Sequence, residues 1–172
     1  MFLDFIKNLV LKNTLKKSLY NVEDESLNSP IVKVGLIVDE SNFTETSALK
    51  QEIISNGISE SNIKVIVFRN VVNSKMIYAE LTFGLKDLNF KSKFTKQPIN
   101  EFIEEEFDLL INYFEEGKPF LLLLGHRSKA KFKVGFSAVD NRLNHLLINI
   151  EQENYKGFTK ELFRYLKILN KI

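Results

Sequence analysis

Two almost uninterrupted apolar runs, Ile31–Val38 (IVKVGLIV) and Ile63–Phe68 (IKVIVF), set the strongest limit on what this chain can fold into. A strand that faces water on one side alternates polar with apolar residues. A β-branched strand without that alternation must be covered on both faces. Between the two runs, Phe43, Ala48, Leu49, Ile53 and Ile54 recur at helical spacing and stop at Gly57, and Asn42 followed by Glu45 fits a capping box. Strand, helix and strand at this spacing form a βαβ unit, whose right-handed crossover implies parallel strands.

The rest of the chain extends that unit. Met76–Phe83 reads as a short strand, and Leu88–Thr95 as a strand with one lysine-rich face. Asn100 caps a short acidic helix ending near Glu106. Strands are expected over Phe107–Tyr113 and Phe120–Leu124, separated by a turn at Gly117 and Pro119. Ala130, Phe132, Val134 and Phe136 alternate with Lys129, Lys131 and Lys133, the pattern of a half-buried antiparallel or edge strand. Leu146–Ile150 reads as the last strand, and Phe158, Leu162, Tyr165, Leu166 and Leu169 mark a closing helix. The expected fold class is therefore α/β: a single three-layer Rossmann-like domain with a mixed, mainly parallel sheet, over residues 31–172.

Ahead of it, residues 1–20 carry Phe2, Phe5, Ile6, Leu9, Val10, Leu15 and Leu19 near helical spacing, with four lysines against Asp4. This is a cationic N-terminal amphipathic helix, joined by a polar linker over residues 21–30. It either packs on its own domain or attaches to a membrane surface or partner. Lysines interrupt its apolar face and no Ala-x-Ala follows, against a signal peptide. No apolar run reaches the roughly 18 to 20 residues of a transmembrane span. With no cysteine in the chain, a cytoplasmic location is expected.

The chemistry is sparse. No thiolate ligand exists, and two histidines cannot build a multi-histidine centre, so no metal and no cofactor are expected. The segment after the first strand, VDESNFTE, has no glycine for a pyrophosphate, and there is neither a Walker A loop nor a Gly-x-Ser-x-Gly elbow. Asp39 and Glu40 follow the first strand, where ligand sites form in α/β sheets, and serve either as catalytic carboxylates or as capping groups. His126, after the run expected to be a strand, is a candidate acid or base if it meets Asp39 or Glu40. His126, Arg127, Ser128, Lys129, Lys131 and Lys133 form a basic cluster able to bind anions. Seven acidic residues between Glu101 and Glu116 offer the opposing outcome, in which the lysines are neutralised internally. Nucleic acid would need Phe90, Phe94, Phe132 and Phe136 exposed, and their alternation turns them inward.

The phrases DLNFKSKF, FDLLINYF, SKAKFKVGF and FRYLKILNK resemble an uncharacterised bacterial family of short Rossmann-like proteins. The resemblance implies an α/β fold and carries over no activity and no site residue. The residues themselves lead to a non-catalytic module that binds an anionic ligand or protein partner through the basic loop and strand. The alternatives are an enzyme acting on a phosphorylated or nucleotide-like small molecule, and a protein attached to a membrane or partner by its N-terminal helix.

Overall fold

The computed structural model describes residues 30–172. The expected helix over 1–20 and nearly all of the linker over 21–30 lie outside the described residues. Six strands, β1 (Val34–Asp39), β2 (Ile63–Phe68), β3 (Leu81–Phe83), β4 (Leu109–Tyr113), β5 (Phe132–Phe136) and β6 (Leu146–Ile148), form one sheet in the order β3-β2-β1-β4-β5-β6. Every pairing is parallel. Four helices cover it: α1 (Thr46–Ser55), α2 (Gln97–Glu104), α3 (Pro119–Arg127) and α4 (Tyr155–Ile168). The α/β class and its Rossmann-like organisation are thus present. Among the described residues no helix is long and apolar enough to cross a membrane.

Pleating divides the core into two. On β4, Tyr113 turns towards Phe158 of α4, 5.0 Å away between ring centroids, with Phe43 and Phe136 in the same cluster. Its neighbour Asn112 faces Gly125 of α3 on the opposite side. There Phe68, Phe83, Phe94 and Phe120 pack as a second aromatic chain. Helix α1 packs on α4, while α3 contacts β1. Every residue of β1 is buried, as its lack of alternation requires.

Five expectations need correction. Asn100, expected to cap the acidic helix, lies inside α2, whose N-cap is Lys96. The run expected as a strand over Phe120–Leu124 is the interior of α3, because Pro119 sits in its first turn, where a fixed φ and a missing N–H cost nothing. A five-residue apolar run is equally compatible with a buried helix. Leu88–Thr95 is a tight loop whose only ladder contact is an antiparallel bridge between Leu88 and Phe94, and Phe90 on it is exposed. Residues 132–136 are neither an antiparallel nor an edge strand: β5 lies between β4 and β6 and is buried throughout, Lys133 included. The sheet is consequently wholly parallel rather than mixed. Finally, α1 has Glu45 as its N-cap with no side-chain cap bond, so the box between Asn42 and Glu45 does not form. Its end near Gly57, which takes φ +103°, is where expected.

Asn112 and Asn144 meet inside the second core layer, Nδ2 of the first donating to Oδ1 of the second at 2.7 Å, both residues buried. Two glycines make room for these amides. A Cβ on Gly135 would stand 2.6 Å from Nδ2 of Asn144 and 3.2 Å from the carbonyl oxygen of Asn112. Gly135→Ala should therefore destabilise the fold by about 1–3 kcal/mol in urea unfolding, since the extra methyl meets main chain as well as a boxed-in amide. An unchanged midpoint would show that the pair has slack.

Candidate functional site

In open α/β sheets a crevice forms outside the carboxyl ends of the strands where the order reverses, here between β1 and β4. Asp39, the last residue of β1, has only 1% of its surface exposed there. Oδ1 accepts the Ser41 N–H at 3.0 Å and the Ser41 hydroxyl at 2.5 Å. Oδ2 accepts Nζ of Lys118 at 2.5 Å, and the same ammonium donates to Oγ of Ser41 at 2.5 Å. Lys118 reaches this position because the turn through Gly117 makes it the N-cap of α3, with Pro119 fixing the first helical turn behind it. Its ammonium lies 5.4 Å from the centroid of the Phe68 ring, and a fifth of its side chain remains exposed.

A second ion pair borders the first. Glu40 accepts the Thr46 hydroxyl at 2.5 Å and pairs with Arg69, which follows β2 and stacks over Tyr78 at 5.1 Å. The Glu40 N–H donates to the Phe68 carbonyl and the Arg69 N–H to that of Phe83, so the ends of β1, β2 and β3 are tied in sequence. Helices α1 and α3 both start at this edge, and neither N-terminus has a side-chain cap bond. In α3, Pro119 has no N–H and the N–H groups of Leu121 and Leu122 donate to the Lys118 carbonyl. A cavity of about 580 Å³ adjoins the ends of β2 and β3. Another, of about 280 Å³, lies beyond β4, β5 and β6 and is lined by Glu115 and Glu151. Burial, with the charges of Glu153 and Glu151, raises the Glu115 carboxyl above its ordinary range.

The crevice can present a positive charge, a hydroxyl and a shielded carboxylate to one small ligand. A lysine-activated serine nucleophile needs a lysine without a counter-ion, and Lys118 has Asp39; the arrangement suits binding rather than acyl transfer. No group of three or more histidine, aspartate or glutamate side chains able to hold a metal occurs among the described residues.

The residues singled out from the sequence fall into two places. Asp39 and Glu40 are in the crevice. His126 and Arg127 are in the last turn of α3, and Lys133 donates through Nζ to the carbonyls of Gly125 (2.8 Å) and His126 (3.1 Å). Lys133 is level with Leu110 and Gly35 in the sheet, four strand residues, or about 13 Å, below Asp39. His126 therefore does not meet Asp39 or Glu40. The remaining basic residues are engaged locally. Lys129 pairs with Glu104 at 2.5 Å and Lys131 with Asp108 at 2.9 Å, while Arg127 donates to the Ser92 carbonyl at 2.5 Å. Ser128 is buried and its Oγ accepts the Ala130 N–H. Burial, then the charges of Lys133 and Arg127, lowers the His126 imidazole below its ordinary value. Internal neutralisation is thus the arrangement adopted here. Sequence reasoning missed Lys118 and Arg69; the one available signal was a lysine in a Gly-Lys-Pro turn shortly after a buried strand.

Burial brings the Lys133 ammonium down to about 8. A base with a depressed folded value holds fewer protons in the folded state than in the unfolded chain between that value and about 10.4, so it adds stability as pH rises across that window. The gain from pH 7.5 to 10.5 should be larger in the parent protein than in Lys133→Met, by at most about 3 kcal/mol in denaturant titrations. Equal slopes in the two proteins would show that Lys133 titrates normally.

Set beside known proteins, the chain finds no match among curated sequences and none among solved structures. One family profile does match, over residues 7–169, spanning all six strands and all four helices. On that match the chain belongs to DUF6913, described as a family of unknown function.

Proposed function

We propose that this protein is a non-catalytic binding module that takes a small anionic ligand, through a phosphate or carboxylate group, in the crevice between β1 and β4. The carrying observation is Lys118: its ammonium is fixed by Asp39 and Ser41, with the exposed Glu116 at 3.7 Å, yet a fifth of its side chain stays open to solvent at the start of α3. A preorganised cation at a helix start is an arrangement that recognises anions. The ordering cost of a long lysine side chain is already met before the ligand arrives. The basic corner from His126 to Lys133 supports anion binding less well, because Lys129, Lys131 and Lys133 would have to leave Glu104, Asp108 and two helix carbonyls.

Calorimetric titration with inorganic phosphate at two ionic strengths tests the reading. Binding should weaken at the higher salt, and Lys118→Met should weaken it by at least about tenfold, a loss of roughly 1.4 kcal/mol. The double variant Lys129→Ala/Lys131→Ala should bind as the parent does. Loss of binding in that variant, with Lys118→Met unaffected, would transfer the site to the basic corner and overturn the crevice.

A further inference from the structure

The 580 Å³ cavity beside the crevice has a chemistry of its own. Val71, Val72 and Leu85 form apolar walls, Asn70 and Ser74 add an amide and a hydroxyl, and Lys86 adds a cation. Its volume lies in the range of sites that enclose a small organic molecule, and few convergent polar groups among apolar walls is the composition such sites share. Lys96, also on the wall, is held at 3.1 Å by Asp87, whose Oδ2 accepts the Gly84 N–H as well. Lys86 makes no ion pair among the described residues, so the cavity retains one uncommitted cation.

Its apolar surface is exposed in an unusual way. Val71 is 81% exposed although it stands on a cavity wall, and Met76 and Ile77 on the same loop are 59% and 99% exposed. Isolated apolar residues on a surface need no explanation, but three on one loop, of which Val71 also lines the cavity, mark a recognition surface. Gly84 lets Val72 approach: a Cβ there would stand 3.0 Å from both the Val72 methyl and the Arg69 carbonyl.

Arg69 connects the cavity to the crevice. It immediately precedes Asn70, Val71 and Val72, its main chain bonds to Phe83, and its guanidinium pairs with Glu40 next to Asp39. From β1 to β3 is two strand spacings, about 10 Å. That length suits one ligand with a ring at one end and an acidic group at the other.

We infer that the cavity between the β2–β3 loop and the Leu85–Asp87 turn binds the ring of a ligand whose acidic group sits at Lys118, so that the ligand class is a ring-bearing anion of nucleoside monophosphate size. The inference rests on the crevice reading for the acidic end and on the cavity alone for the ring. Valine walls take the faces of a planar ring, and Asn70 and Ser74 offer hydrogen bonds to its polar edge.

Amide chemical-shift titrations of the full chain with AMP, adenosine and inorganic phosphate separate the two parts. AMP should bind at least about tenfold more tightly than phosphate. The amides of Val71, Val72 and Leu85 should shift with AMP and with adenosine but not with phosphate. Val71→Asn, at an exposed position that the fold does not need, should weaken AMP about tenfold and leave phosphate unchanged. If phosphate binds and AMP binds no more tightly, with those amides unmoved, ring recognition is overturned while the crevice reading stands. If adenosine moves the cavity amides and phosphate binds nowhere, the crevice reading fails and ring recognition stands.

Discussion

A carboxylate withdrawn from water at the end of a central strand obliges a structure to bring a cation to it, and Asp39 imposes that demand here. The cation arrives from the other half of the sheet. Lys118 is 79 residues away and follows β4, so the pair joins the two halves at the place where the strand order reverses. The loop after β1 and the turn into α3 are thereby held at fixed separation. An apolar contact could have joined them as firmly, because the desolvation of two charges offsets most of what their attraction returns. A polar pair in that position keeps a charge and a hydroxyl organised at the one edge where this topology leaves a crevice.

Charge at the opposite end of the sheet has a different consequence. Asp108 accepts the N–H groups of Val32 and Lys33 and the ammonium of Lys131, which fastens the chain leading into β1 to the start of β4. Glu105 holds Lys33 and Lys64 in the same way. Those contacts, together with the burial of Lys133 against the final carbonyls of α3, tie helix ends to strand starts. The exposed pair of Lys129 and Glu104 adds little to stability. What looks in the sequence like a basic surface is largely an internal charge balance.

How much of this was legible in the sequence follows from which periodicities are unambiguous. β1, α1 and β2 were readable because β-branched runs without alternation have a single explanation when a helix pattern lies between them. Asp39 was readable as a candidate because the end of a parallel strand is a defined place. The reading of Leu121–Leu124 as a strand had a cost beyond the element itself. As a strand it would carry His126 up to the carboxyl edge beside Asp39; as helix α3 it carries the same residue down to the amino edge. One ambiguous apolar run therefore displaced a candidate site by the depth of the sheet. Lys118 was invisible for the complementary reason: its partner lies across a crossover, and no local pattern encodes a contact at that separation.

The central claim is that the pair of Asp39 and Lys118 is kept for a ligand and not for the fold. Unfolding and phosphate binding measured on Asp39→Asn, on Lys118→Met and on the two combined test it most directly. Lys118→Met alone should cost about 3–5 kcal/mol, since it leaves the buried Asp39 carboxylate without its counter-ion, and the combined variant should return to within about 1 kcal/mol of the parent while no longer binding phosphate. A combined variant that loses the sum of the two single effects, or one that still binds phosphate at parental affinity, would contradict the account.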